Sequence, residues 1–309
     1  MAGRRRKNKK MSRGGRAVLA VFAALVLALA LFCGAAAVNA SIVRVRRAEV
    51  ELNDLPAAFD GKTILYASDI DLCGLNTAAR SAALFEKLQS LKPDILILGG
   101  DYNSPSLLKI LNRSGGQDGR DLAQLRARTD FFRYISGFDA PLGKFGLAAP
   151  EDAEQEMLAN QMIDAGITPL FNDRAAVTIG GDTLWIIGVS AESANLNSAG
   201  SAFSKGDCVL VAAYSPAVLP VLVTSEAQDG GRWADLALTG HTHGGQVLLF
   251  GRDLLNLSGS ERQYRAGWTV ENGLPILTTQ GVGCEGLNLR VGTEPEVWLI
   301  TMRRRLNNA

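Results

Sequence analysis

Leu236-Ala237-Leu238-Thr239-Gly240-His241-Thr242-His243-Gly244-Gly245-Gln246 holds both histidines of the protein. Its first four residues read as a buried strand that runs into two imidazoles on a turn closed by paired glycines. Imidazole is the commonest metal-binding side chain. The glycines allow a tight backbone and leave room for something to approach. A polar loop with two solvated histidines is the plain alternative reading of the same residues.

Two earlier segments stop in a similar way. Ile64-Leu65-Tyr66-Ala67 reads as a short buried strand ending at Ser68-Asp69-Ile70-Asp71. A helical pattern follows over 78–91, closed by Lys92-Pro93-Asp94. Ile95-Leu96-Ile97-Leu98 is the next strand, and Gly99-Gly100-Asp101 ends it. Strand, helix, strand is the α/β pattern in which ligands bind beyond the carboxyl ends of strands. Taken singly, an aspartate after a strand is ordinarily a helix cap or turn residue. Asp69, Asp71, Asp101, His241 and His243 together, each at a strand end, point to a divalent metal. Mixed oxygen and nitrogen donors suit Mn, Fe or Zn.

The rest of the chain continues the alternation. Residues 42–52 are extended, but Val45 and Val50 differ in parity, which predicts a bulge or two short strands. Residues 104–120 read as a loop and 121–136 as a helix. A short strand over 143–147 is broken by Ala148-Ala149-Pro150-Glu151-Asp152, and a helix over 153–165 is capped by Gly166. Gly180-Gly181-Asp182 between Val177–Ile179 and Leu184–Val189 signals a hairpin. Val209–Ala213, Val247–Phe250, Ile276–Thr278 and Val297–Thr301 complete the strands.

The chain has 309 residues, 47% of them hydrophobic, and a net charge of +1 that hides an asymmetry. Residues 1–16 carry eight basic side chains and no acid, so the remainder holds 24 basic against 31 acidic residues, a net charge of −7. An acidic body argues against nucleic-acid binding. Ala17 to Ala40 is uncharged and almost wholly apolar, and about 20 such residues span a bilayer as a helix. Arg44, Arg46 and Arg47 are the close cations on the far side. The bias predicts a cytoplasmic N-terminus and a translocated body. The expected organisation is a basic cytoplasmic head (1–16), a transmembrane anchor (17–40) and one folded domain (42–309). A cleaved signal peptide is the rival, since Val38-Asn39-Ala40 resembles a small-residue cleavage site, although the apolar run exceeds the usual length of such signals. A buried core helix is the third reading. Among Cys33, Cys73, Cys208 and Cys284, the three in the body allow one bridge at most, and Cys73 with Cys284 is the pair that glycine-containing loops offer.

These motifs resemble the calcineurin-like metallophosphoesterases, in their membrane-anchored or exported bacterial branch. The resemblance runs from about Val43 to Met302: Ser68-Asp69-Ile70-Asp71 for Ser-Asp-x-His, Pro93-Asp94 and Gly100-Asp101, Gly240-His241-Thr242-His243-Gly244-Gly245-Gln246 for Gly-His-x-His-Gly-Gly-Gln. Gly281-Val282-Gly283, Arg290 and Pro295-Glu296-Val297 extend it toward the last strand. It implies an α/β fold of two sheets in a sandwich flanked by helices, in α/β/β/α layers, here preceded by one transmembrane helix. It implies hydrolysis of a phosphoester, a phosphodiester or a lipid or cell-wall head group, at the membrane surface. The alternative is an inactive binding protein on the same fold, retaining a metal or anion pocket.

Four positions depart from the family pattern. Asp71 stands for a metal-binding His, Pro150 for the Asn and Glu151 for the assisting His of Gly-Asn-His-Asp/Glu, and Tyr214 for a His before Pro. By the resemblance, a first ion takes Asp69, Asp71, Asp101 and His243. A carboxylate in place of an imidazole favours harder ions, so Mn or Mg is expected, with Fe or Zn as the other choices. A second ion would take Asp101, the positions of Pro150 and Tyr214, and His241, which leaves two usable donors. One ion rather than two is therefore expected. Glu151 is the weak candidate for a general acid, a role that requires a raised pKa.

Overall fold

Alternation along the buried strands dictates the layering. In β2 (Thr63–Ala67), Ile64 and Tyr66 face one way while Leu65 and Ala67 face the other, and all four are fully buried. Both sides of such a strand must be covered. The computed structural model describes residues 12–74, 76–104, 118–150, 152, 154–190, 195–253 and 255–305. Glu151 and most of the expected 104–120 loop lie outside these residues.

The first sheet has the order β1 (Arg44–Leu52), β14 (Glu296–Arg304), β2, β3 (Ile95–Leu98), β4 (Lys144–Gly146), β5 (Thr168–Pro169). The second has the order β12 (Gly267–Glu271), β13 (Leu274–Thr278), β9 (Leu236–Thr239), β8 (Cys208–Ala213), β7 (Asp182–Val189), β6 (Arg174–Ile179). One core lies between the sheets, where Ile64, Tyr66, Ile95 and Ile97 meet Leu184, Ile186, Leu210 and Leu236. The outer face of the first sheet, through Leu65, Leu96 and Leu98, packs on α2 (Ala78–Leu88), α3 (Asp118–Ile135) and α4 (Gln155–Asp164). The outer face of the second, through Val209, Val211 and Ile276, packs on short helical segments that carry Leu196, Leu219 and Leu222. This is the expected two-sheet sandwich flanked by helices. β2, β3 and β4 run parallel, as do β8, β9 and β13, so their carboxyl ends gather at one edge of the sandwich.

Some local expectations change. β1 is a single regular strand, paired in unbroken parallel register from Arg44↔Glu296 to Leu52↔Arg304. No bulge is needed, because β1 is an edge strand and its Val45 stays 40% exposed. The 247–250 segment holds only the two-residue β10 (Leu248–Leu249), paired with β11 (Arg252–Asp253) in a small ribbon. All four cysteines are free, so Cys73 and Cys284 form no bridge. The apolar segment is the helix α1 (Arg13–Asn39), long and apolar enough to cross a membrane, and its most apolar stretch is not buried against the body.

Candidate metal centre

A strand that ends beneath a second sheet must turn sharply to point its next side chains back into the gap. All five expected ligands do so in the left-handed region of backbone space: Asp69 (φ 53°), Asp71 (50°), Asp101 (56°), His241 (70°) and His243 (48°). Asp and His tolerate this region better than most residues, yet it costs free energy that the surrounding structure must impose. Such residues concentrate at functional sites.

Backbone bonds across the strand ends impose it. Asp69 N–H donates to Gly100 O (3.1 Å) and Asp71 N–H to Asp101 O (3.1 Å). His241 N–H donates to both oxygens of the Asp69 carboxylate (2.9 and 3.1 Å), which clasps one sheet to the other. Gly283 N–H donates to Asp69 O (2.7 Å), and a Cβ on Gly283 would lie 2.3 Å from Cβ of Asp71. Only glycine fits where that loop passes the aspartates.

Asp69, Asp101 and His243 each offer a donor atom, all within 4.8 Å of one another. Asp71 lies beside them, its Oδ2 3.7 Å from His243 Nδ1. It is 1% exposed, and neither of its oxygens has a hydrogen-bond partner among the described residues. Burial pushes its carboxyl far above the usual range, and the charges of Asp69, Glu285 and Asp152 add to this, while Arg290 works against it. Burial likewise raises Asp69 to about 6, against the lowering effect of His241. His243 is held well below its ordinary value by burial, then by Arg290 and His241, so its imidazole is neutral and able to ligate. Three clustered carboxylates, one of them without a hydrogen bond, and a neutral imidazole form a donor set that fits a divalent cation.

His241 turns the other way. Its Nδ1 is 2.6 Å from the Tyr214 hydroxyl, and its Nε2 is 3.3 Å from Glu261 Oε1, on the short helix Gly259–Gln263. Two of the four second-ion positions, Tyr214 and His241, are thus bonded to each other. Pro150 is exposed on a turn and brings no donor.

Three contributors carried little signal in the sequence. Asp152 accepts from Ala149 N (2.7 Å), Asp101 N (3.3 Å) and Tyr102 N (3.2 Å), and so fixes the turn that carries Asp101. Its one mark was its place as the fourth residue of the Gly-Asn-His-Asp/Glu counterpart. Arg290, fully buried, spans His243 and the carbonyls of Gln280 and Gly283. Glu261 had no mark at all.

No protein-family model matches the chain. Phosphodiesterase YaeI of Escherichia coli is 29% identical over 213 residues, covering 68% of this chain and 71% of that protein. An uncharacterized metallophosphoesterase of Aquifex aeolicus is 24% identical over 274 residues, covering 86% and 94%. Among solved structures, a dimetal phosphatase of Danio rerio is 10% identical with a TM-score of 0.44, covering 72% of this chain and 88% of that one.

Proposed function

We propose that the chain is a metallophosphoesterase of the calcineurin-like kind, as its similarity to phosphodiesterase YaeI and to the Aquifex aeolicus metallophosphoesterase supports, and that it is a one-metal phosphoester hydrolase held at a membrane surface by α1. Residues 1–16 form the cytoplasmic head, 17–40 the span, and 42–309 an extracytoplasmic domain. Phosphodiesters or lipid and cell-wall head groups within reach of that surface are its substrates. The observation that carries this reading is the buried Asp71 carboxylate, with no hydrogen bond among the described residues, beside the Asp69, Asp101 and His243 donors.

Asp69, Asp71, Asp101 and His243 would hold the ion, with Mn or Mg favoured by the three carboxylates. A bound divalent ion supplies Lewis-acid polarisation of a phosphoryl oxygen and a water activated at neutral pH. The chain's own residues prepare the place. Asp69 locks the histidine turn through His241 N–H. Asp152 fixes the backbone of Asp101. His241 is clamped between Tyr214 and Glu261 and is partly exposed beside the ion position. Glu151 remains a candidate proton donor from its sequence position alone.

The Tyr214–His241 bond favours a second reading, a binding protein that retains the ion without turnover. One experiment separates the two. The full chain in detergent is assayed for bound metal and for hydrolysis of an aryl phosphodiester with Mn, against an Asp101→Asn, His243→Ala double variant. Metal near one per chain and turnover that the variant loses are expected. Metal without turnover selects the binding protein, and absence of both would refute the centre.

A further inference from the structure

We propose that the last turn of α1 is a working part of the metal centre, with Asn39 and the Ala36 carbonyl acting as positioning groups for Arg290 and, through it, His243. A helix that serves only as an anchor has no need of polar contacts at its exit from the bilayer. This one makes three with a single short segment. The Asn39 side-chain amide donates to Arg290 O (3.1 Å) and to Thr293 O (2.9 Å), and Arg290 N–H donates to Ala36 O (3.1 Å). Ala36 is the buried residue of the helix. The connection to the body is short, only Ala40 to Val43 before β1, and Arg80 Nη2 donates to Ser41 O (2.6 Å) within it.

The other side of the same segment reaches the centre. The Arg290 guanidinium donates to His243 O (3.1 Å), lies 3.3 Å from His243 Nδ1, and donates to Gln280 O (2.6 Å) and Gly283 O (2.6 Å). Val291 N–H donates to Gln246 O (3.2 Å), and the Thr293 hydroxyl donates to the same carbonyl. Gln246 in turn bridges to Glu285, accepting from its N–H (2.8 Å) and donating to its O (2.9 Å). Arg290 is thus gripped by the helix through its backbone and by the histidine turn through its side chain. A buried guanidinium is costly unless its donors are satisfied in fixed places. The helix turn fixes the backbone from which those donors project. Partners that orient a ligating histidine typically change metal affinity 10- to 100-fold when removed.

The inference rests on the metal-centre reading for its affinity readout, and it has a consequence for processing. Cleavage after Ala40 would remove both Asn39 and Ala36, so a retained helix is part of the functional protein. The test uses the full chain in detergent micelles. Asn39→Leu keeps the side-chain size and removes both donors, and Asn39→Ala serves if leucine is not tolerated. Ser41→Ala is the control, since the Ser41 hydroxyl bonds Ala37 O (2.8 Å) within the helix end and not the 290–293 segment. Mn affinity is read by electron paramagnetic resonance titration, and amide hydrogen exchange is read over residues 280–293. The Asn39 variants are expected to bind Mn at least about 10-fold more weakly. They should exchange faster at Arg290 and Val291, while Ser41→Ala matches the parent in both. Unchanged affinity and exchange would overturn the proposal, as would an equal loss in Ser41→Ala. If the parent chain binds no Mn, the metal-centre reading fails separately. Exchange then decides alone, with faster exchange supporting the positioning role and unchanged exchange refuting it.

Discussion

Asp71 and Tyr214 both stand where the metallophosphoesterase pattern has histidine, and both are buried, but their hydrogen bonding differs. Asp71 is sealed away among other carboxylates, with no hydrogen bond to either oxygen among the described residues. Tyr214 is bonded to His241 at 2.6 Å, their rings tilted at a centroid distance of 4.8 Å. The first replacement leaves a demand for positive charge, and the second removes one. A buried polar group without a partner costs about 1–3 kcal/mol, more when charged. Stability alone gives no reason to keep Asp71, whereas Tyr214 is self-sufficient. The contrast teaches that lost ligands have two outcomes, a site that still requires an ion and a site closed by its own residues.

The strongest challenge to the contrast is the double substitution Asp101→Asn with His243→Ala. It should remove all bound metal by elemental analysis and reduce hydrolysis to background. Metal that persisted would place the ion elsewhere and dissolve the distinction.

Asp71→Asn probes the demand itself. In metal-free buffer at pH 8 the variant should be more stable than the parent by about 1–3 kcal/mol, read as a higher Tm. The sign with pH is fixed. Asp71 in the folded chain takes up its proton well above the unfolded value of 3.8, so the parent's penalty is full at high pH and is relieved as pH falls. The gap between variant and parent should therefore shrink from pH 8 toward pH 5. Comparison at equal pH cancels the opposing contribution of His243. With saturating Mn the order of stability should reverse. A gap that widened on acidification would mean that Asp71 is ionised and paired.

The closed half is sharpened by Tyr214→Phe, expected to cost about 1 kcal/mol in denaturant unfolding while metal stoichiometry stays at one. Tyr214→His combined with Pro150→Asn should raise the stoichiometry toward two, and failure to do so would show that more than donors was lost. The smallest effect belongs to Glu261→Gln. That pair is partly exposed, so its loss should change stability by under about 1 kcal/mol.

The sequence exposed the parts of this design that obey short-range rules. Apolar runs that stop at Asp69, Asp101 and His241 mark strand ends, and parallel strands bring such ends to one edge. Hence Asp69, Asp101 and His243 were found together. The side-chain directions were not legible. His241 faces Tyr214 and Glu261 because a five-residue helix carries Glu261 into range, and no periodicity announces such a helix. Arg290 is marked in the sequence only as part of the tail of the family pattern, and its burial was not legible, since that depends on carbonyls contributed by Gln280, Gly283 and His243. β12 was missed because Trp268 and Val270 alternate with polar residues for too short a stretch. The apparent parity break in 42–52 misled because an edge strand can leave a valine in water.

The place of β14 sets a timetable for the chain. It lies between β1 and β2, parallel to the former and antiparallel to the latter. Leu52 of β1 must therefore wait for Arg304, 252 residues later, before its ladder can close. At synthesis rates of about 5–20 residues per second, that delay is on the order of tens of seconds. Throughout it, β1 and β2 keep open edges that invite pairing with other chains. The first sheet therefore cannot be completed until β14 arrives, however much of the chain between has already folded.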